Sequence, residues 1–535
     1  MPASTARGER GTRTYDYVIV GAGSAGCVLA ARLSEDQDVT VALVEAGPAD
    51  TADNIHVPVG FAQLLRTEVD WDYSTGPEPF ADMQRIYLPR GKVLGGSSSI
   101  NTMIYIRGNR ADYDGWAEAG CAGWGYDDLL PYFKRAEDNE RGTSEFHGAG
   151  GPLSVSENRS RNPMSDAFLE ACAQAGLPAN EDFNGAAQDG FGYYQVTQRN
   201  GRRCSAAAYL SPAMSRPNLV VETSMQVHRA LFEGQRAVGV QAARWGELHE
   251  LRAEREVVLC GGAYNSPQLL MLSGVGPAGA LTGLGIPVVQ DLPGVGRDLQ
   301  DHPVAWLTWA HDEPVSLISA GSEENVARFI REGRGPLCSN FSETGGFVRT
   351  RPHLRAPDVQ FHAAPIMIVD EPLSEHGFSV GPCVLTPASR GTVVLRSADP
   401  SAKPYILHNY YAEEPDLATM VEGARLAAEI ASQRALAPYT RRPYYVPASR
   451  SDADVRAHVR QHTFTLYHPV GTCRMGTDDQ AVVDIELRVR GVEGLRVVDA
   501  SVMPTVPRGN TNAPTIAVAE RAADLVRSRS AQCPY

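Results

Sequence analysis

The chain has 535 residues, 43% of them apolar and 21% charged, with 51 glycines and 36 prolines. That length exceeds one hydrophobic core and suggests two to four lobes, with many turns and no long disordered stretch. Its 49 Lys and Arg against 63 Asp and Glu leave a net charge of −14; no basic patch stands out, so a nucleic-acid partner is excluded.

The first segment, MPASTARGERGTRT (1–14), is polar and reads as a disordered leader, not a signal peptide. No apolar run approaches the length of a membrane span. Cys27, Cys121, Cys172, Cys204, Cys260, Cys338, Cys383, Cys473 and Cys533 are scattered, with no CxxC pair and no metal-ligand spacing. That pattern argues against a metal site and a disulfide framework. The odd number suits a reducing compartment, and a cytoplasmic protein is expected.

YDYVIV (15–20) is a buried-strand signal, and Gly21, Gly23 and Gly26 follow it as G-x-G-x-x-G. Ser24 then opens a helical stretch, SAGCVLAARLSE (24–35). The first glycine permits the tight turn, the second lets a pyrophosphate approach, and the third lets helix and strand pack closely. Free N–H groups at the helix N-terminus face the phosphates. A second strand, VTVALVEAG (39–47), carries Glu45, placed to bind the adenosine ribose hydroxyls. The turn alone fits NAD as well as FAD. Its position at the start of a long chain with further glycine clusters favours FAD.

Those clusters are PRGKVLGGSSSINTMIYIRG (89–108), GGAYNSPQLLMLSGVGP (261–277), LPGVGRDLQDHP (292–303), YHPVGTCRMG (467–476) and GLRVVDASVMPTVPRGNTNAPTIAVAE (494–520). Together, and in this order, they resemble the glucose–methanol–choline family of flavin oxidoreductases, particularly its choline dehydrogenase-like and alcohol oxidase branch. The resemblance implies an α/β fold. A Rossmann-like FAD-binding domain would carry a substrate domain whose antiparallel sheet is backed by helices. It also implies flavin contacts at Val93, Gly96, Asn101 and Met103, an adenine contact at the Val227 backbone, and a ribityl or pyrophosphate contact at Asp499. Pro267 is expected in the first turn of its helix. Some relatives attach FAD through a histidine just before the Asn of the GGSSSIN loop. Ile100 stands there, so noncovalent FAD is expected.

Alcohol oxidation needs a base near neutral pKa and a second polar group for the developing alkoxide, while the flavin accepts the hydride at N5. By resemblance these are His468, in an apolar setting that keeps its imidazole neutral, and Asn510, ten residues before Glu520. Asn512 reads as a flavin contact or as the N-cap of the last helix. His362, on a probable strand PDVQFHAAP, matches a substrate-side histidine of choline-type members; His302 reads as structural. Choline-acting relatives place a glutamate beyond the DHP motif, and the count from His302 falls on Ala310, with Trp306 and Trp309 nearby. An uncharged primary alcohol is therefore expected, with choline as the alternative. A cyanohydrin-cleaving lyase on the same scaffold is the alternative of another class. The electron acceptor is oxygen or another molecule, and a homo-oligomer is compatible.

The flavin domain is assembled from 15–158, 200–305 and 462–530. The substrate domain takes 159–199 and 306–461, with strand patterns in PDVQFHAAP, GFSVGPCVLTP and GTVVLRS and a helix over 416–433. EDNERGTSEFHGAGGP (137–152) reads as a lid or surface loop.

Overall fold

Val18, Ile19 and Val20 are buried on both faces of their strand, as befits a parallel strand between layers of helix. The computed structural model, which describes residues 12–369, 373 and 375–530, extends this strand over Thr12–Val20. Thr12–Thr14 are therefore strand, not leader; the rest of the expected leader lies outside the described residues. Val41–Val44 and Glu247–Leu259 flank the first strand in parallel. Leu219–Glu222 and Leu495–Val497 add further parallel strands. The meander Gln226–Glu233, Arg236–Arg244 and Glu247–Leu259 completes seven strands. Helices Ser24–Leu33 and Asn512–Ser530 pack on each other beside the sheet. Glu520, fully buried, joins them by an ion pair to Arg32, pairs with Arg135 of helix Tyr126–Ala136, and accepts the Tyr209 hydroxyl at 2.8 Å.

A second sheet has eight strands, all antiparallel. Its main order is Arg442–Tyr445, Leu307–His311, His376–Val384, Val359–Ala364, Thr344–Val348 and Gly190–Tyr193. Pro303–Ala305 and Thr463–Thr465 pair at its margin, so the second sheet begins before residue 306 and recruits chain beyond 461. Alternation along Val359–Ala364 decides what each face meets. Val359, Phe361 and Ala363 pack with Leu417, Met420, Val421 and Ala424 of helix Glu414–Ala431. Gln360 and His362 point the other way, and Gln360 reaches Asn510 in the last part of the chain. The α/β class with a helix-backed antiparallel second sheet is thus as expected.

Three local expectations change. Pro267 lies well inside helix Gly262–Leu272, not in its first turn. A proline there leaves the carbonyl four residues earlier without its helical N–H, and the Thr472 hydroxyl donates to that Ala263 oxygen at 2.6 Å. GTVVLRS supplies Thr392–Val394, which pairs only with Tyr405–Leu407 as a separate ribbon. The 137–152 stretch is tied down at both ends. Glu137–Asn139 pairs with Leu153–Val155, and Glu137 and His147, both buried, share an ionic network with Arg107 and Asp182.

Candidate active site

Gly21 ends the first strand with φ 98°, and a Cβ there would come within 2.6 Å of the Cys260 carbonyl oxygen. A Cβ on Gly26 would overlap the Gly21 carbonyl oxygen, so the third glycine lets the helix begin against the turn. A second glycine turn arrives opposite. Gly96, at φ 54°, would place a Cβ 2.6 Å from the Gly23 Cα. Two bare backbones meeting at a helix N-terminus make a cradle for a pyrophosphate.

Glu45 closes one end of this cradle. Its carboxylate accepts the Ala22 and Gly47 N–H groups, each at 2.8 Å, and burial pushes its pKa up to about 7. Ser24 Oγ donates to Asn512 Oδ1 at 2.7 Å, tying the starts of two helices together. Of the two readings of Asn512, the cap falls away: it is the first helical residue, and the Thr511 carbonyl accepts the Thr515 N–H. Asp499 accepts the Gly262 N–H and the Ser501 N–H, each at 2.8 Å, which orients the turn before helix Gly262–Leu272.

These turns line one cavity with about 1810 Å³ of empty space, counting its open mouth. Gly21, Gly23, Ser24, Glu45, Gly96, Asn101, Met103, Val227, Asp499 and Asn512 line it, and His468 and Asn510 stand on its wall as well. The glycine cradle and the buried acid beside it fit FAD.

Three expected residues do not line the cavity. Gly26 faces its own turn. Val93 is buried with Ile55, Leu64, Val69 and Ile100; its carbonyl accepts the Gly96 N–H at 2.7 Å, so it shapes the loop from behind. His362 is buried beside the Tyr194 ring, 5.7 Å between centroids, with no hydrogen bond to Nε2. Burial, with His302 nearby, brings its pKa down to about 3. Ala310, Trp306 and Trp309 are buried and none lines the cavity, although Trp306 packs in one apolar cluster with Ile104 and Leu466, which do.

His468 is the end of a hydrogen-bond chain whose direction is forced. The Leu385 carbonyl can only accept, so His302 Nε2 carries the proton and donates to it at 3.0 Å. A neutral His302 then has a bare Nδ1, which accepts from His468 Nδ1–H at 3.0 Å. His468 Nε2 is consequently bare, and Asn510 Nδ2 donates to it at 3.1 Å. Gln360 Nε2 donates to Asn510 Oδ1 at 3.4 Å, which fixes the amide that way round. Burial keeps both imidazoles neutral: it lowers His302 to about 4 and His468 well below the ordinary value, helped there by His302, His362 and Arg90. The His468 main chain is also pinned, since its N–H donates to Asp301 Oδ1 at 2.7 Å and Tyr467 before it sits at φ 65°.

His302, expected to be merely structural, is thus a direct partner of the candidate base. Gln360 and Asp301 escaped sequence reasoning altogether. The DHP motif adjoining Asp301 and His302 was the available signal, but nothing in a single sequence says that residues 302 and 468 touch.

Comparison with known proteins bears on this geometry. Family models described as GMC oxidoreductase match residues 15–304 and 387–519. The mitochondrial choline dehydrogenase of Mus musculus is 44% identical, with 99% of this chain and 92% of that protein covered. An oxygen-dependent choline dehydrogenase of Burkholderia multivorans is 46% identical, with 98% and 96% covered. Among solved structures, a pyridoxine 4-oxidase from Mesorbium loti superposes with a TM-score of 0.89 at 33% identity, covering 96% of this chain and 99% of that one.

Proposed function

The chain belongs to the GMC oxidoreductase family and is an FAD-dependent enzyme acting on CH–OH donors, and from that premise we propose that His468 is the base that takes the alcohol proton. One observation carries this reading: the chain from Leu385 through His302 leaves His468 Nε2 unprotonated on the cavity wall, its lone pair accepting from Asn510 Nδ2 until an alcohol hydroxyl takes that place. Asn510 Nδ2, beside it, donates to the oxygen of a substrate as negative charge develops there. Gln360 holds that amide, and Asp301 holds the His468 backbone. Gly21, Gly23, Gly96, Glu45, Asp499 and Asn512 hold the cofactor. When bound, FAD supplies the acceptor for the hydride from the alcohol carbon.

Ile100, buried at the loop position where a linking histidine would stand, offers no nucleophile; FAD is held noncovalently, and acid precipitation releases it into the supernatant. Colour that stays with the polypeptide overturns this. The substrate is an uncharged primary alcohol. The lining carboxylates among the described residues are Glu45 and Asp499, both engaged with backbone N–H groups of the turns, so none is free to pair with an ammonium. The relatives named choline dehydrogenases favour choline as the second reading, which here rests on ring faces such as Phe61 and Tyr467, worth about 0.5–2 kcal/mol. Anaerobic titration with choline and a series of primary alcohols decides. Bleaching by uncharged alcohols at lower concentration than by choline supports the first reading, and the reverse order supports the second. Oxygen uptake during turnover tells whether oxygen is the acceptor. A cytoplasmic location rests on the eight described cysteines, all buried and unpaired, and cell fractionation tests it. No described helix is long and apolar enough to cross a membrane.

A further inference from the structure

Outside the cofactor cavity, three distant segments converge on a second, open pocket with about 1290 Å³ of empty space, counting the solvent at its mouth. The hairpin of Gln198–Arg199 and Arg202–Arg203 turns at Gly201 against the Gly333 backbone, which ends helix Glu323–Glu332 at φ 59°. The Gly335 N–H donates to the Arg159 carbonyl at 3.2 Å and brings in the third segment. The result is a wall carrying Arg159, Arg199, Arg202, Arg203, Arg331 and Arg334, with Glu332 as its one carboxylate. In a chain of net charge −14 this is a concentrated cationic site.

The pairing of these guanidiniums is incomplete. Arg159 pairs with Glu140, Arg199 with Asp138 and Arg331 with Glu332. Arg202 and Arg334 have no carboxylate partner among the described residues; Arg202 lies over the Phe329 ring, 5.2 Å from its centroid. Arg203 is buried. Its Nε donates to the Ile55 carbonyl and its Nη1 to Asn101, yet its Nη2 has no partner. Arg203 thus anchors the hairpin to the 98–101 loop from within, and burial depresses its pKa to about 9, which leaves Arg202 and Arg334 as the unpaired cations of the pocket.

We propose that this pocket is a binding site for a phosphate-bearing anion, held by the forks of Arg202 and Arg334. Planar guanidinium forks match phosphate oxygens two at a time, and two cations without a carboxylate partner, Arg202 and Arg334, favour a multivalent anion. The anion's source is either a free phosphate compound or a lipid headgroup. Arg202 and Arg334 lie outside the proposed catalytic machinery, so their replacement leaves flavin content and alcohol oxidation unchanged.

Calorimetric titration of the holoenzyme with inorganic pyrophosphate, and with sodium chloride at matched ionic strength, tests this. Saturable binding of pyrophosphate that chloride does not reproduce is expected, weakened by about tenfold or more in Arg202→Ser/Arg334→Ser. Absence of saturable binding to both pyrophosphate and anionic vesicles, or equal affinity in wild type and variant, overturns the proposal. Flotation with vesicles of phosphatidylglycerol against phosphatidylcholine identifies the source: arginine-dependent capture by the anionic vesicles alone assigns a lipid headgroup, and pyrophosphate binding without capture assigns a free phosphate compound.

Discussion

Replacing His302 with Phe isolates the part of the site that acts without touching substrate. The phenyl ring fills the space but neither accepts from His468 Nδ1–H nor donates to Leu385. A buried N–H left without an acceptor costs about 1–3 kcal/mol. His468 can escape that cost by moving its proton to Nε2, which removes the bare nitrogen from the cavity. Either way the reactive tautomer loses about 1–3 kcal/mol, or roughly 5- to 150-fold in the rate of flavin reduction. Anaerobic stopped-flow mixing with the best alcohol measures that rate directly, and flavin content per polypeptide shows whether the cofactor site survived. His302→Gln, whose amide both accepts and donates, recovers part of the rate. A His302→Phe enzyme with full flavin and a rate within twofold of wild type would refute the reasoning.

Other predictions follow from the same geometry. Because burial lowers the His468 pKa, the acid limb of flavin reduction lies below the ordinary imidazole value of about 6.5; a limb at or above 6.5 in a pH profile contradicts that. Stability carries the same sign. His302, His408 and His458, lowered to about 4, and His362, to about 3, stay neutral in the fold while the unfolded chain protonates below about 6.5. Each therefore lowers stability as pH falls from 6.5 towards its folded value, partly offset by Glu45 and Glu78, which burial raises to about 7 and which gain stability over the same range; a melting temperature that rises from pH 7 to pH 5 would count against it. Gly96→Ala puts a side chain at φ 54° and drives its Cβ into the Gly23 backbone. It costs at least about 1–2 kcal/mol and weakens FAD binding roughly tenfold, read as flavin retained after gel filtration.

The parts of this molecule legible in its sequence are those whose physics is local. The G-x-G-x-x-G turn declares itself because strand, glycines and helix are contiguous, and Glu45 follows on the next strand. His468 and Asn510 stood out through short contiguous motifs. What stayed hidden depends on partners far along the chain. His302 meets His468 across 166 residues and Gln360 meets Asn510 across 150. Thr472 completes the carbonyl that Pro267 leaves open. Val93 reads as a cofactor contact by motif, but the apolar neighbours that turn it inward come from residues 55–69. The arginine pocket was equally invisible, since its residues form no basic run and gather only when the 201 and 333 turns meet.

The most direct measurement is the anaerobic rate of flavin reduction by a saturating alcohol in wild type and His468→Ala, both shown beforehand to carry equal flavin. With the imidazole gone, no bare nitrogen receives the proton, and the rate should fall by roughly 10²–10⁴-fold. A variant that bleaches its flavin within tenfold of the wild-type rate would show that the proton goes elsewhere.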